Sequence, residues 1–309
     1  MLYTITFNPA VDLVMRTDEV RLGELNRVQK DEYVAGGKGI NMSVLLKRLG
    51  HDNIATGFIG GFTGAFVRES LEREGVQTAF HELDAITRIN VKLHAAEETE
   101  LNANGPTVSE ADIAGLLAYF ERVLTAGDVV FLAGNAAPGM TSEHYVEVAK
   151  LCQAKDAWFV LDSNKQLLTA CLPYRPFLIK PNAQELSEIF ETPVVSLEEV
   201  IANARKLQVL GAQNVIVSLG GAGAVLVTHS QEVYQSSVPA GTVINSVGAG
   251  DSMVAGFMAK YIQTQDYAES LRQGAACGSA TAFSVGIAEA DLAAALVSDI
   301  QIKRIGEAS

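Results

Sequence analysis

The chain is predicted to form an α/β domain in which helices cover both faces of a mostly parallel sheet. Short apolar runs alternate with longer stretches of helical period along most of the sequence, which is typical of successive strand–helix units. Several of the short runs are almost continuously apolar, as expected of strands buried on both faces. No Pro/Ser-rich linker divides the 309 residues, so we expect a single domain spanning 1–309.

The individual elements follow from these periods. Strands are predicted at Tyr3–Asn8, Asn53–Ile59, Ile89–His94, Asp128–Ala133, Trp158–Asp162, Phe177–Lys180, Asn214–Leu219 and Ala224–Thr228. Helices are predicted at Ile40–Leu49, Thr63–Glu74, Ser109–Leu124, Ser142–Cys152, Ala183–Phe190, Leu197–Leu210 and Ser252–Ile262. The stretch from Gly250 to Val297 is mostly helical and rich in Ala and Gly, which indicates closely packed terminal helices.

Two stretches break this rhythm, at about 12–34 and 88–105. Neither keeps a helical period, and both are predicted to be extended, half-exposed strands inserted into the core. Together they would form a small sheet that lies over the site as a lid. A sheet of few strands leaves exposed edges and an apolar face, so we expect a homodimer formed through the lid.

The composition argues against nucleic-acid and membrane partners. The formal net charge is −13, whereas proteins that bind nucleic acid usually carry a basic face. No apolar stretch reaches the ~18 residues of a membrane helix, and the N-terminus lacks the pattern of a signal peptide. The three cysteines show no CxxC spacing, as expected of free thiols. We therefore expect a cytoplasmic protein that acts on small molecules.

Three glycine clusters are candidates for phosphate binding, and none matches the commonest nucleotide motifs. The P-loop pattern fails because Lys38 is followed by Gly39 and Glu32 stands where the first glycine belongs. The dinucleotide pattern GxGxxG fails because both candidates end in methionine, at Met42 and Met253.

The most informative cluster is NSVGAGD at 245–251, which precedes a predicted helix. Glycines at a helix start let backbone N–H groups approach an anion, and the helix dipole favours negative charge there. Asp251 in the same turn can accept a proton from a hydroxyl beside the bound phosphate. The same letters also describe a tight turn with an acidic residue in the first helical turn, and the local pattern does not separate the two.

The other two clusters carry weaker signals. The segment AGGKGIN at 35–41 precedes an amphipathic helix, and Lys38 and Asn41 suit anionic and hydroxyl groups; a simple strand-to-helix turn is the alternative. The segment SLGGAG at 218–223 lies between two apolar runs, and a glycine-rich hairpin is the alternative there.

Together, AGGKGIN and VGAGD resemble motifs of the PfkB, or ribokinase-like, carbohydrate kinase family. The resemblance covers essentially the whole chain, and two such clusters in this order are specific. It implies a ribokinase-like three-layer α/β/α core, a small β-sheet lid over a sugar site, and ATP bound near the C-terminal half. It also implies transfer of the γ-phosphate of ATP to a sugar hydroxyl, with Mg²⁺ bridging the phosphates.

The resemblance assigns roles to matching positions. Asp251 corresponds to the catalytic base, and the anion hole corresponds to the backbone of Val247, Gly248, Ala249 and Gly250. The sugar site corresponds to Asp12, Gly36, Gly37, Lys38 and Asn41. The nucleotide site corresponds to Asn182, Ser218, Gly220, Gly221, Gly223 and, in the helix that would flank the adenine, Cys277. Glu185 is associated with magnesium, and with Asn182 it also matches a helix capping box.

The chain departs from the family pattern at two positions. Asn245 stands where many members have aspartate, which places a monovalent-cation site in doubt. Asn135 stands where serine is common, and its amide can still bind a phosphate or hydroxyl group.

The acceptor is expected to be a phosphosugar, because cations gather near the irregular stretches at Arg27, Arg88 and Lys92. In TRINVKL at 87–93, strand alternation puts Arg88, Asn90 and Lys92 on one face, either a polar lid underside or a solvated outer face. With AGGKGIN, this run most resembles bacterial 1-phosphofructokinases, which implies conversion of fructose 1-phosphate to fructose 1,6-bisphosphate. Tagatose 6-phosphate or fructose 6-phosphate are alternative acceptors. A non-catalytic sugar-phosphate sensor and a nucleotide-dependent dehydrogenase are the alternatives from other classes.

Overall fold

The structure, a computed structural model, describes residues 1–305. Its first part contains β1 (Leu2–Thr6), β2 (Ala10–Arg16), β3 (Lys30–Gly36), α1 (Lys38–Arg48), β4 (Asn53–Ile59), α2 (Gly61–Arg73), β5 (Gln77–Thr78), β6 (His81–Glu82), β7 (Arg88–His94) and β8 (Glu98–Leu101). Its middle part contains α3 (Glu110–Val123), β9 (Val129–Ala133), α4 (Ser142–Ala154), β10 (Trp158–Asp162), α5 (Lys165–Cys171), β11 (Leu178–Ile179), α6 (Ala183–Phe190) and α7 (Leu197–Val209). Its last part contains β12 (Asn214–Ser218), β13 (Ala224–Val227), β14 (Val233–Ser236), α8 (Ala249–Thr264), α9 (Tyr267–Ala282), α10 (Ala290–Val297) and β15 (Ile302–Ile305).

The large sheet confirms the predicted fold class. Its strands lie in the order β15-β14-β13-β12-β11-β10-β9-β1-β4-β5, and β6 also pairs with β4. The pairings from β12 through β1 to β4, β5 and β6 are all parallel. The edge formed by β13, β14 and β15 is antiparallel, so the sheet is mixed.

Strand alternation divides the apolar side chains between two helical layers. On β9, Val130 and Leu132 belong to a core with α3, α4 and α7, whereas Val129 and Phe131 belong to a core with α1, α8 and α9. Because both faces of the sheet are covered, the central strands carry nearly unbroken apolar runs.

A smaller sheet, called the small sheet below, has the order β3-β2-β7-β8. The segments 12–34 and 88–105 overlap its strands. Leu13 is in register with Tyr33 on β3 and with Val91 on β7, so these apolar residues share one face. Asp12 and Asn90 are also in register and lie on the opposite, polar face.

Most predicted boundaries differ from the structure by one or two residues, and two of the differences bear on the site. The helix expected from Ser252 begins at Ala249, because Gly248 adopts the left-handed conformation that starts it (φ 80°). The strand expected at Phe177–Lys180 pairs only over Leu178–Ile179, and Lys180 and Pro181 then lead into α6. Among residues 1–305, no helix is long and apolar enough to cross a membrane.

Candidate active site

Polar residues collect where the parallel strands end. Asn8 follows β1, Asn135 follows β9, Asp162 ends β10, Lys180 follows β11 and Ser218 ends β12. The carboxyl ends of parallel strands lie along one edge of a sheet, which is where open α/β sheets bind ligands. This edge is the floor of the candidate site.

The two glycine clusters that lie far apart in sequence meet at this edge. Asp251 sits in the first turn of α8 and is only 6% exposed. Its Oδ2 accepts a hydrogen bond of 2.8 Å from Nδ2 of Asn41 in α1. A Cβ added to Gly248 would lie 3.3 Å from the same amide nitrogen, so the turn and α1 are in direct contact.

The backbone of the turn offers fewer free donors than the sequence predicts. The N–H of Val247 donates to Oδ1 of Asn245 at 2.9 Å, and the N–H of Ala249 donates to the Ser246 carbonyl at 3.2 Å. Within residues 1–305, the N–H groups of Gly248, Gly250 and Asp251 have no acceptor. Of the predicted anion-hole donors, the N–H groups of Val247 and Ala249 are therefore engaged within the turn, whereas those of Gly248 and Gly250, together with that of Asp251, are available.

Two lysines and one carboxylate stand beside this turn. Asp162 is 2% exposed, and its Oδ1 and Oδ2 lie 3.1 Å and 3.7 Å from the ammonium groups of Lys38 and Lys180 respectively. The side chain of Lys180 is also buried, and its Nζ lies 3.0 Å from the place where a Cβ of Gly250 would be. A side chain at position 250 would therefore crowd the ammonium group, and glycine leaves it room.

The protonation states in this cluster are interdependent. Burial raises the pKa of Asp162, but the charges of Lys180 and Lys38 outweigh it, so the pKa lies below the ordinary aspartate value. Burial likewise lowers the pKa of Lys38, and the carboxylates of Asp162 and Asp251 more than compensate, so this lysine stays charged.

Asp251 has the opposite shift. Burial and repulsion from Asp162 raise the pKa of Asp251 to about 6, against the attraction of Lys38 and Lys180 and the hydrogen bond from Asn41. A carboxylate in this range is ionised at neutral pH and is a stronger base than an exposed aspartate.

Sequence reasoning missed Asp162 and Lys180 as site residues. In the sequence analysis both appear only as the last residues of predicted strands, Trp158–Asp162 and Phe177–Lys180. A usable signal existed: each is a charged residue at the carboxyl end of a buried parallel strand, where charge is costly unless it is paired or functional.

The polar face of the small sheet carries the predicted sugar-site residues. Nδ2 of Asn90 donates to Oδ1 of Asp12 at 2.8 Å, and Oδ1 of Asn90 accepts from the Ala103 N–H at 3.1 Å. A Cβ on Gly36 would lie 2.4 Å from Oδ2 of Asp12, so only glycine allows this approach. Gly37, with φ 133°, turns the chain from β3 into α1.

Three predicted cations have different surroundings. The guanidinium of Arg88 donates to the carbonyls of Asn8 and Ala103, both at 2.9 Å, which ties β7 to the end of β1 and to the segment after β8. Lys92 is paired with Glu100 at 2.6 Å. Arg27 is exposed in the segment 17–29 and does not line the cavity described next.

A cavity of about 640 Å³ lies between the small sheet, α1 and the segment 244–247. Asp12, Gly36, Asn41 and Val247 all line it. It is large enough for a phosphosugar, and it borders both glycine clusters.

Several of the residues predicted to bind the nucleotide lie close together. Asn182 and Ser218 form an isolated parallel bridge, so the start of α6 lies beside the glycine segment 218–223. That segment connects antiparallel β12 and β13, as the hairpin alternative states. A Cβ on Gly220 or Gly221 would meet nothing within 4 Å, which leaves the backbone open to a ligand. Gly223 is held against the Ser236 carbonyl at φ 90°.

Glu185 and Asn182 form the capping box that the sequence allowed. The Asn182 N–H donates to Oε2 of Glu185 at 2.7 Å, and the Glu185 N–H donates to Oδ1 of Asn182 at 2.8 Å. Oε1 of Glu185 takes no part in the box. Residues 1–305 contain no group of three or more metal-ligating side chains. One carboxylate oxygen outside the capping box fits Mg²⁺, which keeps several waters and relies on substrate phosphates.

Two further predicted residues lie differently from expectation. Cys277 has no exposed surface, and its thiol packs against Gly256 between α8 and α9. It cannot contact a nucleotide, so its prediction as a binding residue is corrected to a packing role. Asn135 lies at the sheet edge, where its Oδ1 accepts from Nδ2 of Asn164 at 3.1 Å.

Comparisons with known proteins identify the family of the chain. The profile of pfkB family carbohydrate kinases matches residues 5–293. The chain is 42% identical to the 1-phosphofructokinase of Bacillus subtilis over 305 residues, covering 99% of this chain and 100% of the relative. It is 37% identical to the D-tagatose-1-phosphate kinase of Bacillus licheniformis over 306 residues, with 99% and 100% covered.

A solved structure extends the likeness to three dimensions. The phosphofructokinase-2 of Escherichia coli, crystallised in complex with substrates and products, superposes with a TM-score of 0.90 at 27% identity, covering 96% of this chain and 98% of that one. Another structure of the same enzyme is its tetrameric inhibited form. The family profile and the full-length relatives lead to one conclusion: the chain belongs to the pfkB family of carbohydrate kinases.

Proposed function

We propose that this protein transfers the γ-phosphate of ATP to fructose 1-phosphate, giving fructose 1,6-bisphosphate and ADP. The observation that carries the proposal is the arrangement around Asp251. A buried carboxylate with a raised pKa lies in the same turn as three free N–H groups and next to two lysines. It is joined by Asn41 to the cavity under the small sheet.

The proposed reaction has one phosphoryl-transfer step. Asp251 accepts the proton of the sugar 6-hydroxyl, and the oxygen attacks the γ-phosphorus. The bond between the γ-phosphorus and its bridging oxygen breaks, and ADP leaves with the electron pair. The amides of Gly248 and Gly250 and the ammonium of Lys180 stabilise the negative charge on the transferring group.

ATP would lie along the segment 218–223 and the start of α6. The open backbone of Gly220 and Gly221 and the amide of Asn182 are suited to phosphate contacts. Glu185 would hold Mg²⁺ through water with Oε1. The metal would neutralise charge on the phosphates when bound.

The sugar would lie under the small sheet. Asp12 and Asn90 are suited to sugar hydroxyls, and Gly36 lines the cavity beside Asp12, with Gly37 and Lys38 next in the chain. Arg88 would bind the 1-phosphate, with Asn135 and Arg27 as further candidates. The relative of 42% identity, named 1-phosphofructokinase, supports this acceptor.

D-tagatose 1-phosphate is the second candidate acceptor, because a full-length relative of 37% identity is named for it. Tagatose and fructose differ only in the configuration at C4, so a single hydrogen bond to that hydroxyl decides between them. Tagatose 6-phosphate and fructose 6-phosphate place the phosphate at the other end of the sugar.

A coupled assay of ADP release tests the proposal. The protein is given ATP, Mg²⁺ and, separately, fructose 1-phosphate, tagatose 1-phosphate, fructose 6-phosphate and tagatose 6-phosphate. The highest kcat/KM is expected with fructose 1-phosphate. Absence of turnover with all four, together with tight phosphosugar binding, would instead support a sensor.

We also infer a homodimer in the cytoplasm, formed through the apolar face of the small sheet. Leu13, Tyr33, Val91 and Leu101 form a row across this face, and Tyr33 and Leu101 are 54% and 63% exposed. Leu22 and Leu25 in the adjoining segment are also exposed. Sedimentation analysis of the wild type beside Leu101→Glu tests this, since a charge in that row should favour the monomer.

A further inference from the structure

We propose that Arg48 is a positioning residue that holds the segment 284–289 against the turn at 245–251, called the anion-hole turn below. This inference rests on the proposed function. Arg48 is the last residue of α1 and lies outside the cluster of Asp251, Lys38 and Lys180. Its side chain is 18% exposed. A single guanidinium there contacts two other parts of the chain.

The first set of contacts is with carboxylates. Nη2 and Nε of Arg48 donate to the two carboxylate oxygens of Glu74, just after α2, at 2.7 Å and 3.0 Å. Nη1 lies 3.1 Å from Oε1 of Glu289. The bidentate pair fixes the plane of the guanidinium.

The second set of contacts is with backbone. Nη1 of Arg48 donates to the carbonyls of Ile287 and Ala288, at 2.5 Å and 3.3 Å. These carbonyls belong to the segment between α9 and α10. A lysine in this place has one compact ammonium and cannot serve a bidentate carboxylate and two carbonyls in one plane.

The segment held in this way touches the anion-hole turn. A Cβ on Gly248 would lie 2.7 Å from Cδ1 of Ile287, so the Ile287 side chain packs against that glycine. The carbonyl of Val285 accepts from Nδ2 of Asn245 at 3.1 Å. Asn245 also accepts from the Val247 N–H. The segment therefore contacts the turn at two points, Asn245 and Gly248.

The same helix reaches the acceptor side. Asn41 lies seven residues before Arg48 on α1, or about 10 Å along the axis, and donates to Asp251. Arg48 therefore links α1, which carries Lys38 and Asn41, to the segment that packs against the turn with the free amides. Its loss should displace the amides of Gly248 and Gly250 relative to the acceptor oxygen and leave the sugar contacts in place.

The test compares Arg48→Met with Glu74→Gln. Both variants lose the ion pair between Arg48 and Glu74, but only Arg48→Met also loses the hydrogen bonds to Ile287 and Ala288. Methionine keeps an unbranched apolar stem in place of the arginine stem. Glu74 and Arg48 both border the cavity under the small sheet, and neither is among the residues proposed to contact the acceptor, so Glu74→Gln is the matched control.

Hydrogen exchange tests whether Arg48 stabilises the turn and the segment 284–289, and it needs no substrate. In Arg48→Met, exchange in peptides covering 244–250 and 284–289 should accelerate about tenfold, because the contact that limits local opening is gone. Glu74→Gln should leave both peptides close to wild type. Unchanged exchange in Arg48→Met, or equal acceleration in the two variants, would overturn the proposal.

Kinetics measure the consequence. With the phosphosugar that the wild type accepts, Arg48→Met should lower kcat roughly 10- to 100-fold, as small misplacements of catalytic groups do, with the phosphosugar KM within about twofold. A rise in that KM at unchanged kcat contradicts the positioning role. If the wild type transfers phosphate to no ketohexose phosphate, the proposed function fails, and the exchange experiment still decides the link.

Discussion

The floor of the candidate site and the small sheet above it are held in place in different ways. In the floor, Asp162, Lys180 and Asp251 are each 6% exposed or less, and they lie within one charged cluster. In the small sheet, β8 is exposed along its whole length and β3 along most of it. Its contacts with the core are concentrated at its base, around Val11 and Ile40.

This difference has a consequence for catalysis. Charges act strongly where water is excluded, so groups of the floor are suited to stabilise a transition state. Hydrogen bonds in the small sheet compete with water, and they are suited to bind and release the acceptor. We therefore expect substitutions in the floor to change kcat, and substitutions in the small sheet to change the KM of the phosphosugar.

The largest effect is expected for Asp251→Asn. Loss of the proton acceptor should lower kcat by roughly 10²–10⁴-fold, with little change in either KM. Asp291→Asn is the matched control, since Asp291 also lies in the first turn of a helix but is exposed. Steady-state kinetics with ATP and the preferred phosphosugar provide the measurement. Near-normal turnover in Asp251→Asn would remove the assigned role.

Lys180→Met should have the next largest effect. Removing one charged donor from a transition-state site costs about 10²–10³-fold in kcat, and the remaining floor stays buried. Lys165→Met is the control, because Lys165 pairs with Glu191 at the surface. A change confined to the KM of ATP would show that Lys180 binds the nucleotide without stabilising the transition state.

Arg88→Ala tests the small sheet. Loss of charge-assisted hydrogen bonds to a phosphate should raise the KM of the phosphosugar roughly 10- to 100-fold, and the KM of ATP should change little. Arg68→Ala removes a surface arginine that pairs with Glu82 and serves as the control. Equal changes in both KM values would assign Arg88 to a structural role through its hydrogen bonds to the Asn8 and Ala103 carbonyls, rather than to phosphate binding.

The smallest effect concerns pH. Asp251 must be ionised to accept a proton, so kcat/KM should fall about tenfold per pH unit below its pKa of about 6. Asp162→Asn removes a repelling negative charge while Lys38 and Lys180 still attract. The pKa of Asp251 then falls, and the acid limb should move to lower pH. A limb that stays in place or moves upward would show that repulsion from Asp162 does not raise this pKa.

The sequence predicted the core well because its signals are local. Apolar runs such as Trp158–Asp162 and the helical period of Ala183–Phe190 match β10 and α6 residue for residue. The small sheet was predicted as two extended stretches without strand bounds except at Ile89–His94, since its strands are short and half-exposed and their apolar pattern is weak.

The candidate site was predicted in part. Asp251 and Asn41 were found because the glycine clusters beside them carry a recognisable pattern, and Asp12 was found through the family resemblance. Asp162 and Lys180 were missed, since neither lies in a glycine cluster and their side chains meet only when β10 and β11 pair in the sheet. The sequence also did not predict that the N–H groups of Val247 and Ala249 are hydrogen-bonded. Their acceptors, the Asn245 side chain and the Ser246 carbonyl, come within reach only in the folded turn.

The sequence by itself determined the layered α/β architecture and the two glycine clusters, because periodicity and glycine conformation are properties of neighbouring residues. Only the tertiary structure decided that these clusters meet across 210 residues at Asn41 and Asp251, which amides stay free, and how far Asp251 is raised in pKa. Those properties depend on burial and on charges contributed by separate strands and helices, and both arise only when the chain has packed.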